Sequence, residues 1–397
     1  MREEAYFTED ELKEGDNGQK FSPNGTEVKW VEEDSYFFKL SSYTDKLLAL
    51  YEENPEFIQP ESRRNEIVSF VKQEGGLKDL SVSRLKERLH WGIPVPDDDA
   101  HVMYVWLDAL TNYITALGYP DGNAAKFKKH WPADMHVIGK DITRFHAIYW
   151  PAFLMAAELD LPKTIFAHGF INVDGVKMSK SIGNVLSPED LIESYGLDQT
   201  RYFLMREVSH GSDGNFSHEQ AVQRINADLA NGLGNLAQRT LSMIYKNCDG
   251  QIPEPVKFDD DGDQEDRELL NVGTHLHPAV LKHIEKFEIH RALELIWKAG
   301  VNNCDQYIDH NAPWALKKTD TERMDTVLYV LAEAIRNIAI LVQPVLPEGA
   351  SKILDQLKVP NDQRLFEHIG QAHQLQPGTS IDKPQGVFPR IVEDEAA

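Results

Sequence analysis

The chain has 397 residues, with 41 basic and 64 acidic side chains, a formal charge of −23 and 41% hydrophobic residues, enough for two or three packed domains. No run approaches the roughly 18 to 20 apolar residues of a membrane span, and the acidic start MREEAYFTEDELKEG is unlike a signal or transit peptide, so a cytoplasmic protein without membrane contact is expected. The acid excess excludes generic coating of nucleic acid, which needs a broad positive surface, though local basic patches still allow a selective RNA binder. The two cysteines, Cys248 and Cys304, lie too far apart for a C-x-x-C zinc knuckle or a disulfide framework, and no structural metal is expected.

In chain order, residues 1–99 mix a short strand-like piece at 27–31 with polar helices over 42–54 and 60–74, and read as a partial domain. The GDNG tetrapeptide near residue 15 and the acidic run 259–266 read as solvated loops or a linker. From Ala100 the texture changes. HVMYVWLDAL, DMHVIGKD and KTIFAHGFINV are apolar, β-branched runs separated by amphipathic stretches such as 142–158. Alternating strands and helices imply an α/β domain with a parallel sheet. FINVDGVKM reads as a hairpin around Asp174 and Gly175, a pair suited to a two-residue turn with positive φ. Ser187, Pro188, Glu189 and Asp190 then supply an N-cap, a first-turn proline and acidic residues facing the helix dipole, and Gly196 ends that helix. Beyond Ser217 the pattern is helical over about 217–247, 264–287, 288–309 and 321–343. In the last of these, Val327, Leu331, Ile335, Ile338 and Val342 recur as one buried stripe, so an all-α bundle follows the α/β region.

The stretch GVKMSKSIGN places Lys177 and Lys180 three apart, with Ser179 and Ser181 beside them. Ammonium charge and hydroxyl donors on a small loop are a physical means of holding nucleotide phosphates and a departing pyrophosphate. Loop lysines by themselves are ordinarily solvated, so the whole string and its company decide the reading. KMSKS, at Lys177, Met178, Ser179, Lys180 and Ser181, resembles the second signature of class I aminoacyl-tRNA synthetases, and its surroundings resemble the methionyl-tRNA synthetase family in particular. That resemblance implies a Rossmann-type nucleotide-binding domain followed by an anticodon-binding helical bundle. It implies activation of methionine by ATP to methionyl-adenylate and transfer to tRNA(Met), with ATP and Mg²⁺ and without structural zinc.

Carried over residue by residue, the resemblance implies a methionine pocket from Trp106, Asp108, Ala109, Leu110 and Tyr113 in VWLDALTNY and from Asp141, Phe145, His146 and Trp150 in GKDITRFHAIYWP. A thioether is recognised by aromatic packing and soft sulfur contacts plus one polar group, for which His146 is the candidate. A histidine beside a phenylalanine in an apolar helix is equally at home in a core, and isolated Asp108 and Asp141 could cap helices. His168 and Gly169 resemble the histidine–glycine pair near the adenine, with the glycine leaving room for a base. Lys177 and Lys180 are the catalytic candidates, and Met178, Ser179 and Ser181 complete the ATP loop. In the bundle, Asn235 and Arg239 share a helix face and, with Trp314, match positions that read the CAU anticodon, while Lys317 and Lys318 could touch phosphates. A tryptophan packed at a helix start after Pro313 is the structural alternative.

The same comparison implies boundaries: 1–99 the remainder of a connective insertion, 100–173 the second half of the catalytic domain, 174–230 the KMSKS loop and stem-contact region, and 231–397 the anticodon bundle. The first signature, HIGH, has no counterpart at a first strand-to-helix turn, and His368–Ile369–Gly370–Gln371 follows the bundle and reads as a decoy. An N-terminally truncated form with impaired adenylation is therefore expected. Leu110 and Asn112 stand where some members carry Pro and Gly. The end at IVEDEAA leaves no room for a dimerisation domain, which suggests a monomer. Two alternatives stay open: a noncatalytic fragment that binds the tRNA anticodon, and a leucine, isoleucine or valine ligase, which would need a large editing insertion.

Overall fold

The computed structural model describes residues 9, 12–15, 18–22, 25–28, 33–179, 182–209, 211–256 and 264–392. Lys180 and Ser181, residues 29–31 of the first strand-like piece and most of the acidic run fall outside them. The chain divides into two compact units, Met1–Phe166 and Ala167–Ala397.

In the first unit, two helices, Thr44–Glu53 and Glu61–Val71, accompany a three-stranded sheet in the order Met135–Gly139, Thr164–His168, Ile58–Gln59. The last two strands pair in parallel, with Ile165 opposite Ile58. A second sheet is antiparallel, with Asp98–Met103 between Ser83–Leu85 and Pro94–Val95. The run HVMYVWLDAL is not one strand. It leaves the sheet after Met103, passes through extended Tyr104 and turns into the helix Val105–Thr115. Leu110 and Ile114, four residues apart, become the buried face of that helix, and this spacing outweighs the β-branched character of the run.

The stretch 142–158 is helical but not uniform. A tight turn at Lys140–Ile142 leads into a π turn over Phe145–Tyr149 and then the α-helix Trp150–Ala156. Pro151 lies in the first turn of that helix, and without an N–H it cannot bond the carbonyl four residues back. That carbonyl, on Ala147, instead accepts from the buried hydroxyl of Tyr51 at 2.6 Å. The widened turn and the tyrosine thus satisfy backbone that the proline would orphan.

The second unit begins with the strand Ile171–Val173, paired antiparallel with Val176–Lys177 and parallel with Gly214–Phe216. Asp174 and Gly175 have φ of 49° and 77°, as the two-residue turn requires. The Ser187 side chain accepts from Asp190 N, Pro188 opens the helix Pro188–Tyr195, and Gly196 at φ 97° closes it. The bundle follows, with helices His218–Arg224, Asn235–Asn247, Val272–Glu285, Ile289–Ile296, Asn302–Asn311 and Thr321–Val342, two of the joins widened into π turns at Ile225–Gly234 and Trp297–Val301.

Thr321–Val342 is more than the single stripe its periodicity suggests. Every residue from Thr326 to Val342 is buried, so neighbours pack on all its faces. Four of them are polar: Thr326, Glu333, Arg336 and Asn337. Arg336 donates to both Glu333 carboxylate oxygens and to the carbonyls of His368 and Gly370, while Asn337 accepts from Gly370 N. The HIGQ segment is therefore backbone bolted to the bundle, which accounts for it without a nucleotide.

Candidate functional site

In the first unit, the helix Val105–Thr115, the π turn Phe145–Tyr149 and the helix Trp150–Ala156 converge on one aromatic cluster. Trp106 stacks on Phe145 with ring centroids 3.5 Å apart and planes 18° apart. Tyr113 lies 5.6 Å from His146 and 6.2 Å from Trp150, and Leu110 and Trp150 are fully buried beneath them. Asp108, Ala109 and Asp141 are exposed on the same helix and turn, with Asp108 and Asp141 in first turns where the helix dipole favours a carboxylate. The N-cap positions are Tyr104 and Gly139, so neither acid stands at a cap position.

The hydrogen bonds decide what His146 can do. Its Nδ1 lies 3.0 Å from Ile142 O, which can only accept, so Nδ1 carries the proton and donates. Nε2 is then a lone pair, and it accepts from the Tyr113 hydroxyl at 2.9 Å. Burial pushes the His146 pKa down, keeping the ring neutral, and pushes that of Tyr113 up. Both nitrogens of His146 are engaged, and the Tyr113 hydroxyl, its proton given to His146 Nε2, keeps acceptor lone pairs.

The lysine loop is in the second unit. Lys177 is exposed, with Nζ over the Phe170 ring, 4.4 Å from its centroid. Asn184 holds the loop closed on itself: its Oδ1 accepts from Ser179 N at 2.8 Å and its Nδ2 donates to Lys177 O at 3.3 Å. Ser179 O accepts from both Ile182 N and Gly183 N, and Met178 is half-buried. His168 Nδ1 donates to Gly169 O at 2.8 Å, which leaves Nε2 as an acceptor. Gly169 is buried, and a side chain there would meet Ser212 O at 2.0 Å, so the chain's own backbone takes the room that the missing Cβ leaves.

In the bundle, Asn235 is exposed and Arg239 lies one turn along the same helix. Arg239 Nη2 pairs with Asp309 Oδ1 at 2.9 Å, and its guanidinium carbon stands 5.5 Å from the centroid of Trp314. Trp314 is the second residue of the short helix Pro313–Leu316 and is 44% exposed, so it is not a core residue. Asp305 stands behind this pair. Burial raises its pKa to about 6, with Arg239 opposing and Asp309 adding to the rise.

A family model described as tRNA synthetases class I (M) matches residues 17–241, and one described as the anticodon binding domain of methionyl tRNA ligase matches residues 257–397. The chain belongs to the methionyl-tRNA synthetase family. The methionine–tRNA ligase of Rhizobium meliloti is 56% identical over 399 residues, spanning 100% of this chain and 75% of that protein. That of Rickettsia felis is 51% identical, spanning 99% and 75%. Among solved structures, Mycobacterium tuberculosis methionyl-tRNA synthetase bound by methionyl-adenylate superposes with a TM-score of 0.89 at 51% identity, over 96% of this chain and 74% of that one. The fold is accordingly that of a methionyl-tRNA synthetase: a Rossmann-like α/β catalytic domain with a parallel sheet, then a helical anticodon-binding domain. Sequence reasoning about this synthetase missed His136, Phe170 and Asn184. Asn184 had a signal, since it follows Gly183 in a turn-forming pair, whereas His136 in a β-branched run and Phe170 after a glycine had none.

Proposed function

We propose that this methionine–tRNA ligase selects its amino acid in the aromatic cluster of the first unit, holds ATP with His168, Gly169 and the KMSKS loop, and reads the anticodon with Asn235, Arg239 and Trp314. The observation that carries the reading is the proton order of the Ile142–His146–Tyr113 chain, set among aromatic rings suited to a thioether. Trp106, Phe145, Leu110 and Trp150 supply the apolar wall, and Ala109 leaves space beside it. His146 acts as the orienter of Tyr113 and does not bond sulfur itself, which refines the assignment made from the sequence. Asp108 and Asp141 supply negative charge for the methionine ammonium group and the ribose.

Lys177, together with Lys180, neutralises charge on the phosphates and on leaving pyrophosphate, while Met178, Ser179 and Ser181 shape the loop. For Lys177 this requires leaving the Phe170 ring, a contact worth about 0.5–1 kcal/mol at an exposed site and therefore easily broken. Among the described residues no three His, Cys, Asp or Glu side chains converge. Mg²⁺ would be carried largely by phosphate oxygens and water, lowering the charge that the lysines must meet.

We further assign 1–99 to the connective insertion, 100–173 to the catalytic domain, 174–230 to the KMSKS and stem-contact region and 231–397 to the anticodon bundle. A cytoplasmic monomer is proposed. Among the described residues no helix is long and apolar enough to cross a membrane. The test is methionine-dependent ATP–pyrophosphate exchange together with binding of a CAU-bearing RNA hairpin. Exchange at normal rates refutes the expectation of impaired adenylation, hairpin binding without exchange favours the noncatalytic fragment, and failure of both removes the reading.

A further inference from the structure

The strand Met135–Gly139 alternates, with His136 and Ile138 buried and Val137 exposed, so the pleat sends His136 inward. There its ring centroid is 4.2 Å from that of Tyr113, 6.1 Å from His146 and 6.2 Å from Trp131. His136 is only 5% exposed, and its Nε2 has no hydrogen-bond partner among the described residues. An unpaired buried polar atom is a cost that a purely hydrocarbon packing residue would avoid. It is placed against the one residue whose hydroxyl direction the methionine reading depends on.

We propose that His136 is a positioning residue for methionine selection: its neutral imidazole face seats the Tyr113 ring so that the tyrosine hydroxyl meets His146. The inference rests on the methionine-pocket reading above. The titratable groups facing His136 are Tyr113 from the helix Val105–Thr115 and His146 from the π turn; Trp131 packs beside it. Burial, with His146 adding to it, pushes the His136 pKa down to about 4. At neutral pH the ring thus brings no positive charge against the Tyr113–His146 bond, and the proton stays where Ile142 O and His146 order it.

Two variants of the full chain test this. His136→Asn removes the ring face and keeps a polar group; His136→Phe restores a ring face and removes the polar group. The expected result for His136→Asn is a methionine KM raised about tenfold, an ATP KM within twofold and a poorer methionine-to-norleucine ratio, with His136→Phe recovering most of the methionine KM. Where turnover is too slow to read, methionine affinity by tryptophan fluorescence serves in place of KM. ¹⁵N NMR should show the Nδ1–H tautomer of His146 in the wild type and a mixture of tautomers in His136→Asn. A methionine KM within twofold and an unchanged tautomer in His136→Asn, or methionine and ATP KM rising together, would overturn the proposal. Trp106→Ala is the control: if it too leaves methionine affinity unchanged, the pocket reading itself falls, and if it alone weakens binding, only the role of His136 does.

Discussion

Replacing Arg336 by Met should destabilise the second unit by about 3 kcal/mol, because removing one partner of a buried ion pair typically costs about 3–5 kcal/mol. Arg336 and Glu333 side chains are 1% and 0% exposed, and their closest approach is 2.6 Å. The guanidinium also serves the carbonyls of His368 and Gly370, at 2.9 and 3.3 Å, both of which would lose that donor. The lower end of the range applies because burial already pushes the Glu333 pKa upward against the pull of Arg336, so the stranded carboxylate can take a proton and avoid burying bare charge. Glu333 would keep its bonds from Leu375 N and Asn337 Nδ2. With a urea m-value of roughly 2–3 kcal/mol/M for a unit of this size, the unfolding midpoint should fall by about 1 M. Amide exchange of Gly370 and Leu375 should accelerate well before global unfolding, because these amides belong to the segment that the network anchors. A midpoint shift below about 0.3 M with unchanged exchange at both amides would refute the argument.

Three further outcomes follow from other parts of the molecule. Gly169→Ala places a methyl 2.0 Å from Ser212 O, an overlap that only backbone movement relieves, so thermal stability and ATP affinity should fall together; overpacking of this kind costs about 1–3 kcal/mol. Trp314→Ala should weaken binding of an RNA hairpin with a CAU loop by about tenfold or more, since a stacked base is worth roughly 1–3 kcal/mol, while the melting temperature moves little because the ring is exposed. The third concerns pH. His101 faces acceptors on both nitrogens, Asp98 Oδ2 at 2.8 Å and Asp34 O at 3.2 Å, and its bond to the Asp98 carboxylate raises its pKa above the ordinary 6.5. A folded pKa above the unfolded one gives a contribution that is fully present below pH 6.5 and lost as pH rises through the folded value. NMR titration should place the His101 midpoint above 6.5, and Asp98→Asn should return it toward that value; a midpoint at or below 6.5 in the wild type contradicts the geometry.

The sequence by itself determined the features whose chemistry acts over two to four residues. The positive-φ pair Asp174–Gly175, the Ser187 cap, the Gly196 stop and the apolar spacing of Thr321–Val342 are set by steric limits and hydrogen bonds within a single turn, and all are found where the sequence puts them. The KMSKS string and the order of an α/β region before a helical bundle were legible for the same reason. Only the tertiary structure decided the pairings between distant residues. Tyr113 meets His146 across 33 residues, Arg239 meets Asp309 across 70, and Ser212 fills the space over Gly169. No local pattern encodes these, because each depends on how whole elements pack. The strand-like run 101–110 became partly helix, and the bundle's long helix was buried on every face from Thr326 onward, because neighbouring elements supplied what local propensity did not specify. The His146 ring, which the sequence offers as a polar contact for a thioether, has both nitrogens engaged once packed, Nδ1 by Ile142 O one turn back and Nε2 by the distant Tyr113 hydroxyl.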